Sequence, residues 1–299
     1  MKNGYALYKM ENNKYLGNCF AIVKHFDRVP NGFTGADITI LIKPSDEMWD
    51  EVESLEDLLI KEDLFGNTQP YLRVGSECML GVMGDSHCNC EEERIAALKE
   101  IGRNSGVYIH MPQEAQGRGL FYKAKELHLQ VHGYMPDGSF VGCKSQAEAA
   151  RLLTGMSNID VREYDLVANI MKDLDLDGYT YSFMSRNPNK VKSLRSAGIN
   201  VTMYDIATHM NADNMGEYLT KWIVKGYCFT NDEVVQLVNI IKSDICIPKR
   251  AQDLLSKAAE MLTTDEGSAY LQKHLYTSED TKTELFDMIT DSYLIRKAV

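Results

Sequence analysis

Three cysteines that stand close together, Cys78, Cys88 and Cys90, are the residues best suited to chemistry in this sequence. Thiolates are zinc ligands, and a set of three leaves the fourth position open for water, as in catalytic sites. Zinc lowers the pKa of such a water to about 7, which would supply hydroxide at neutral pH. The alternative is a group of free thiols packed in a core. The polar stretch GDSHCNC favours a metal site, and His87 is expected to be a neighbour of the metal, not a ligand.

The composition restricts the kind of partner and the compartment. The formal net charge of −11 argues against a broad nucleic-acid surface, although local cations would still allow a small anionic substrate. Seven unevenly spaced cysteines do not form a disulfide framework, so we expect a reducing, cytoplasmic location. No apolar stretch is long enough to span a membrane, and the N-terminus lacks the apolar core of a secretory signal.

Strand and helix patterns alternate through the middle of the chain, which predicts a mixed fold of the α+β class. We expect residues 1–45 to form strands joined by polar turns, and we predict strands at 20–26, 36–43, 71–77, 107–111, 179–185 and 200–206. We predict helices at 46–63, beginning at Ser45 as N-cap, and at 91–106, 120–133, 145–155, 162–176 and within 186–199. Three amphipathic helix patterns without intervening strands follow, at 231–244, 251–264 and 282–297. The expected division is a catalytic domain at 1–225 and a helical C-terminal extension at 226–299.

Four segments resemble one known family in the same order. The stretch RVGSECMLGVMGDSHCNCEEERIAAL resembles the zinc-and-substrate segment of GTP cyclohydrolase II, which typically reads R-V-H-S-E-C-x-T-G-D before a second pair of cysteines. The other three segments, in chain order, are QEAQGRGLFYK, NIDVREYDLVANIMKDL and SRNPNKVKSLRSAGINV. Together the four span residues 71–206, about half the chain, and their joint order is more specific than any single motif.

This resemblance implies a fold, a reaction and a set of cofactors. Members have an α+β core with zinc in a cleft, usually in a homodimer. They open the imidazole ring of GTP, releasing formate and pyrophosphate, and the diaminopyrimidinone ribosyl phosphate that remains feeds riboflavin synthesis. We therefore expect one catalytic Zn²⁺ per chain, Mg²⁺ on the triphosphate, and a nucleotide substrate with GTP as the leading candidate. Neither a nucleic-acid polymer nor a membrane is an expected partner.

The resemblance also assigns roles to single residues. Asp160 would be the acid–base carboxylate, and Arg162 would work at the α-phosphate; the alternative for this pair is a solvated ion pair. Arg73 would face phosphate, with a surface salt bridge as its alternative, and Gly117 and Gly119 would permit close backbone approach. The full set expected to bind substrate is Arg73, Ser76, Glu77, Glu93, Glu114, Gln116, Arg118, Ser139, Ser185, Asn187 and Lys190.

Departures from the family pattern cluster where the base would be read. Glu93 stands where the family has a guanine-reading glutamine, and an ionised carboxylate can only accept hydrogen bonds. Gln116 stands in place of an arginine, unless Arg118 takes that role by a local shift, and Ser139 aligns with a family threonine in a longer loop. Three hypotheses remain: a GTP cyclohydrolase, a paralogue that opens another nucleotide ring, and a zinc-stabilised regulatory protein that binds nucleotide without chemistry.

Overall fold

The computed structural model describes residues 4–66, 68–142, 146–156, 160–162, 164–206, 209–210 and 229–243, together with residues 218, 221, 227, 253 and 256. Contacts between Cα atoms divide the chain into two compact units. The first is drawn from residues 1–84, 89–121 and 160–208, and the second from residues 85–88, 122–159 and 209–299.

The first unit is built on one mixed sheet, in which seven strands of the described residues take part. They are β1 (Tyr5–Asn13), β2 (Gly17–His25), β3 (Asp37–Lys43), β4 (Tyr71–Ser76), β5 (Gly106–Met111), β6 (Thr180–Met184) and β7 (Asn200–Tyr204). Their spatial order is β1-β2-β3-β5-β4-β6-β7. The pairs β1–β2, β2–β3 and β3–β5 are antiparallel, whereas the pairs β5–β4, β4–β6 and β6–β7 are parallel. The α+β prediction is therefore confirmed.

Side chains that point alternately to the two faces of the sheet give it an apolar cluster on each face. On β5, Val107, Ile109 and Met111 enter the larger core, whereas Tyr108 enters a second cluster. Side chains of successive strand residues point to opposite faces, so these clusters lie on opposite sides of the sheet. Helices near residues 46–59, 165–173 and 188–196 also pack into the larger core. The helix that begins at Cys90 packs into the smaller cluster.

Most predicted helices are present within one to three residues of their expected ends. The described helices are α1 (Asp46–Glu51), α2 (Leu55–Leu59), α3 (Met79–Val82), α4 (Cys90–Arg103), α5 (Leu120–His132), α6 (Gln146–Thr154), α7 (Asp165–Asp173), α8 (Pro188–Ser196) and α9 (Asn231–Ser243), with a 3₁₀ turn at Glu114–Gly117. The single helix predicted at 46–63 is wrong. The chain breaks after α1, and Ser54 and Asp57 form a capping box that starts α2. Ser45 does occupy the N-cap of α1, but its side chain makes no capping hydrogen bond.

The second unit is helical where it is described. Leu129 of α5 packs with Ala149 of α6, and the buried carboxylate of Glu126 accepts a hydrogen bond of 3.0 Å from Gln146 Nε2. The helix predicted at 231–244 is present as α9. The helices predicted at 251–264 and 282–297 lie outside the described residues, apart from two isolated positions, and the domain boundary at residue 225 stays a prediction. Within the described part, no helix combines the length and apolar character needed to cross a membrane.

Candidate active site

The parallel part of the sheet brings several predicted site residues to one edge. Strands β4, β5 and β6 are neighbours with the same direction, so their carboxyl ends meet there. Ser76 ends β4, Glu114 follows β5 by three residues, and Ser185 follows β6 directly. Open sheets with parallel strands bind their ligands at this edge, outside the carboxyl ends of the strands. The fold therefore gathers residues that lie more than one hundred positions apart in the sequence.

The three predicted metal ligands form one cluster. The sulfur atoms of Cys78, Cys88 and Cys90 all lie within 4.8 Å of one another. Thiolates around one tetrahedral zinc ion are separated by about 3.8 Å, so small side-chain adjustments suffice to bind it. Cys78 is buried and the other two are half-buried. Within the described part of the chain, no other group of three His, Cys, Asp or Glu side chains is placed to share an ion. The donor set thus fits zinc.

Local contacts fix the segment that carries these thiols. Cys78 directly precedes α3, and the buried carboxylate of Glu114 accepts a hydrogen bond of 2.7 Å from the backbone N–H of Met79. Cys90 is the first residue of α4. His87 contacts Asp85, with 2.9 Å between Nδ1 and Oδ1, and is not a member of the cluster. The expectation that His87 is a neighbour and not a ligand agrees with this arrangement.

Glu77 is held at the sheet edge by two elements. Its backbone N–H donates to the carbonyl of Met111 at 2.9 Å, and its carboxylate accepts a hydrogen bond of 2.7 Å from Thr34 Oγ1. Thr34 was not predicted as a site residue, since it lies in a turn-like stretch 43 positions earlier and no local pattern links the two. The hydroxyl of Ser76, next to Glu77, is buried and makes no hydrogen bond to the described part of the chain.

Arg73 and Glu93 form an ion pair beside this edge. The guanidinium donates from Nη2 to Glu93 Oε2 at 2.6 Å and from Nη1 to the carbonyl of Met184 at 2.6 Å. Both side chains are largely buried, with relative exposures of 14% and 21%. Two residues predicted to read different parts of a nucleotide, its phosphate and its base, therefore contact each other directly in the protein alone.

The start of α8 supplies the residues predicted to bind phosphate. Asn187 is the N-cap, its side chain accepts a hydrogen bond of 2.9 Å from the backbone N–H of Asn189, and Pro188 opens the helix. Ser185 Oγ accepts from the backbone N–H of Asn187 at 3.2 Å. Lys190 is buried and donates from Nζ to the carbonyl of Val74 at 2.9 Å, which ties α8 to β4.

Asp160 and Arg162 are paired, and both act electrostatically on Lys190. The Nε of Arg162 donates to Asp160 Oδ1 at 2.8 Å. Burial lowers the pKa of Lys190 well below its usual value; the charges of Arg162 and Arg73 lower that pKa further, whereas Glu93 and Asp160 raise it. The structure thus assembles three cations and two carboxylates in one region, and an anion bound there would favour the charged form of Lys190.

The remaining predicted residues have structural contacts of several kinds. Gln116 has a positive φ of 58°, and its carbonyl accepts the backbone N–H of Val161 at 3.1 Å, which anchors the segment between Asp160 and Arg162. Arg118 is half-buried directly after the same 3₁₀ turn. Ser139 is exposed in the second unit, and its Oγ donates to Asp137 at 2.6 Å. The ligand contacts expected of these three residues stay predictions.

The backbone at Gly117 lies close to other backbone, whereas the close approach to a ligand expected at Gly117 and Gly119 stays a prediction. A Cβ at Gly117, whose φ is 93°, would lie 2.7 Å from the carbonyl oxygen of Gly32. A Cβ at Gly32 would in turn lie 2.5 Å from the carbonyl oxygen of Val161. Three backbone segments therefore pack tightly beside Asp160, and only glycine fits at two of them.

Gly75 offers a test of packing at the site. An added Cβ would overlap the hydroxyl of Tyr108 and would lie 2.9 Å from its Cζ. Gly75→Ala is therefore expected to lower the free energy of unfolding by about 1–3 kcal/mol, because this part of the sheet is already filled. Urea unfolding of the metal-replete protein would measure the change. When Tyr108 is replaced by phenylalanine, Gly75→Ala should lower the free energy of unfolding by less, because the hydroxyl is gone. An equal decrease with tyrosine and with phenylalanine would refute the overlap with the hydroxyl.

Fold and cluster together describe an α+β protein with a candidate three-thiolate metal centre. The sequence profile of the family described as GTP cyclohydrolase II matches residues 50–205, slightly more than half of the chain. The chain belongs to the GTP cyclohydrolase II family, a family of hydrolases.

Individual relatives agree with this assignment. GTP cyclohydrolase-2 of Picrophilus torridus is 29% identical over 177 residues, which cover 58% of this chain and 81% of that protein. Riboflavin biosynthesis protein RibBA of Staphylococcus saprophyticus is 29% identical over 170 residues, or 56% of this chain and 40% of that protein. RibBA of Bacillus mycoides is 33% identical over 146 residues, or 48% and 33%. The chain thus spans less than half the length of these RibBA proteins.

Proposed function

We propose that the chain is a zinc-dependent GTP cyclohydrolase, which opens the imidazole ring of GTP and releases formate and pyrophosphate. The remaining diaminopyrimidinone ribosyl phosphate would enter riboflavin synthesis. The observation that carries this proposal is the cluster of three sulfur atoms within 4.8 Å of one another. Membership of the family and the printed names of the relatives support GTP as substrate and riboflavin synthesis as pathway.

Cys78, Cys88 and Cys90 would hold the zinc ion. When bound, zinc would act as a Lewis acid that activates water for attack on an electron-poor ring carbon. Three protein ligands leave one of the four usual positions for a ligand that is not part of the protein. Mg²⁺ is part of the proposal as the counter-ion of the triphosphate, because it is usually held by substrate phosphates and few protein groups.

The protein would bind the triphosphate through local cations despite its net charge of −11. Arg73, Arg162 and Lys190 belong to one interacting group of charges. Ser185 and Asn187 add polar groups at the start of α8, where the positive end of the helix favours anions. This arrangement supports phosphate binding at the carboxyl edge of the parallel strands, with Arg162 at the α-phosphate.

Asp160 would exchange protons with the reacting groups. Both of its oxygens are bonded to Arg162, which orients the carboxylate. The backbone N–H of Arg162 also donates to Oδ1 at 3.3 Å, and a carboxylate has about four acceptor positions, so it can accept a proton while it keeps these three bonds. Glu93 and Glu114 would contact the base, and Gln116 or Arg118 would take the place of the family arginine as a substrate contact. Ser76 and Glu77 would line the nucleotide site beside the metal, and Ser139 would be a further substrate contact.

The Arg73–Glu93 pair favours one alternative. Because Glu93 is already engaged by a cation at 2.6 Å, its carboxylate is not a simple equivalent of a base-reading amide. A paralogue that opens a different nucleotide ring, such as a pyrimidine nucleotide or a modified purine, would need such a remodelled base site. A regulatory protein that binds nucleotide without consuming it is the third hypothesis.

A nucleotide panel separates these functions. The zinc-replete chain would be incubated with Mg²⁺ and with GTP, ITP, ATP, UTP or CTP, and formate, pyrophosphate and the product mass would be measured. We expect formate and pyrophosphate from GTP. Turnover of another nucleotide without turnover of GTP would favour the paralogue, and nucleotide binding without any product would favour the regulatory protein.

Glu93→Gln tests whether Glu93 reads the base. Glutamine is the residue of the family pattern and reads guanine there, and an amide is held less tightly by Arg73 than a carboxylate is. If residue 93 contacts the base, Glu93→Gln should therefore raise the preference for GTP over ITP by about tenfold in kcat/KM, because inosine lacks the amino group of guanine. Glu92→Gln is the matched control, since Glu92 is the exposed neighbour on α4. An unchanged preference for GTP over ITP would indicate that Glu93 pairs with Arg73 and does not contact the base.

Assembly and location remain part of the proposal. We propose a homodimer in the cytoplasm, where a reducing environment keeps cluster thiols available to the metal. The four cysteines in the described part of the chain form no disulfide. Light scattering coupled to gel filtration would measure the mass against 33.8 kDa for one chain, and a monomer at all concentrations would contradict the dimer.

A further inference from the structure

Tyr164 contacts two of the predicted phosphate-binding cations with the same ring. The guanidinium carbon of Arg162 lies 5.5 Å from the ring centroid, and Lys190 Nζ lies 5.2 Å from it. Both distances are within the range of about 6 Å over which an aromatic ring attracts a cation. Tyr164 lies within the family-like segment NIDVREYDLVANIMKDL, but the sequence pattern assigned it no role.

The ring is fixed by the fold on its other sides. Tyr164 is partly buried and packs against the larger apolar core. It is also the N-cap residue of α7, and its carbonyl accepts the backbone N–H of Val167 at 3.0 Å. A side chain held at both backbone and ring can act as a rigid support for the groups that lie over it.

Arg162 and Lys190 repel each other, so an attractive contact with the Tyr164 ring helps to keep both in place. Arg162 is among the charges that disfavour the ammonium form of Lys190. Asp160 also anchors Arg162, and the carbonyl of Val74 also anchors Lys190. The negative face of an aromatic ring attracts both without neutralising either, so both charges remain available to an anion.

We propose that Tyr164 is a positioning residue, whose ring holds Arg162 and Lys190 together for the polyphosphate chain of a nucleotide. The proposal rests on the proposed function in one respect, that the bound anion is a triphosphate. The ring face and not the hydroxyl would do the work, so phenylalanine should replace tyrosine, whereas leucine should not.

Binding of Mg²⁺-tripolyphosphate to the zinc-replete full chain, measured by calorimetry, tests this. We expect Tyr164→Phe to bind within about twofold of the unchanged protein, and Tyr164→Leu to bind about tenfold more weakly. Tyr179→Leu is the matched control, because Tyr179 also packs against the larger core but lies over no described cation. It should keep its affinity even if its thermal unfolding midpoint falls.

The outcomes distinguish this inference from the proposed function. A normal affinity of Tyr164→Leu, or an equal loss in Tyr164→Phe, would overturn the role of the ring. No binding of tripolyphosphate by the unchanged protein would overturn it as well. If Tyr164→Leu alone loses affinity while the unchanged protein consumes no GTP, the positioning role stands and the proposed GTP cyclohydrolase activity fails.

Discussion

Cys88→Ala is expected to remove zinc and turnover together. With Cys88 gone, Cys78 and Cys90 are the thiols left of a cluster whose sulfur atoms lie within 4.8 Å of one another. Two thiolates do not retain zinc at the affinity of three, so the bound metal should fall from one ion per chain to well below a tenth. Loss of Lewis-acid activation, at roughly 4 kcal/mol, should lower formate release about a thousandfold. Elemental analysis and the formate assay measure the two effects on the same sample.

Cys19→Ala is the matched control for this change. Cys19 is buried on β2 as part of the smaller apolar cluster, and burial raises the pKa of its thiol to about 11. Such a thiol is a packing residue, so its replacement should leave the zinc content at one ion per chain and preserve turnover. Full activity of Cys88→Ala, or no stoichiometric metal in the unchanged protein, would be incompatible with a catalytic zinc site.

The strands were predictable because the burial pattern of a strand can be read within a short stretch of sequence. Ile38, Ile40 and Ile42 on β3 alternate with more exposed residues, and this period of two indicates a strand with one buried face. The run Val107–Met111 is buried almost throughout, as expected for a central strand between two neighbours. The order of the strands, by contrast, depends on how long connections cross the sheet, and no pattern within a strand records it.

The break between α1 and α2 was not predicted, although the sequence contains a signal for it. Ser54 stands three residues before Asp57, and this spacing is a capping box that begins a helix. The apolar residues at 49, 52, 55, 58 and 59 keep a helical period across the break, so periodicity alone predicted one helix. Capping chemistry decided the outcome, because Val52 has extended backbone angles and Ser54 satisfies the free N–H groups at the start of α2.

The candidate site was predictable as a set of residues but not as a network. The four family-like segments named Arg73, Glu93 and Lys190, and the fold brings them into one group of charges. That Arg73 pairs with Glu93, and that Lys190 reaches the carbonyl of Val74, depends on elements 20 and 116 positions apart. Hydrogen bonds between distant elements leave no periodic trace in a sequence. The same holds for Thr34 and Glu77.

These contacts change how the substitutions in the base-reading positions are understood. A carboxylate at Glu93 would be costly beside the nearby acidic residues of α4 unless a cation compensates for it, and Arg73 does so at 2.6 Å. Glu93 and Arg73 therefore form one ion pair, and under the proposed function a nucleotide that binds Arg73 through phosphate would compete with Glu93. Selectivity would then depend on the pair and not on either residue alone.

Asp160→Asn is expected to slow the reaction while nucleotide binding persists. An amide cannot take up a proton at neutral pH, so loss of general acid–base catalysis should lower kcat by about 10²–10⁴. The amide oxygen can keep the hydrogen bond that Arg162 Nε donates to Asp160 at 2.8 Å, whereas the amide nitrogen cannot accept from Arg162 Nη2. We therefore expect KM for GTP to rise by about tenfold at most, less than kcat falls. Steady-state formate release gives both constants.

Asp165→Asn controls for the loss of a nearby negative charge. Asp165 is exposed at the start of α7, five residues further along, and accepts a hydrogen bond of 2.8 Å from Ser193. Its amide variant should keep kcat, and both variants should keep one zinc ion per chain, because neither residue belongs to the thiol cluster. An equal loss of kcat in both variants would indicate a general effect of the lost negative charge. An unchanged kcat in Asp160→Asn would show that Asp160 does not transfer a proton in the reaction. A selective loss in kcat would separate the proton-transfer group from the cations that hold the phosphates.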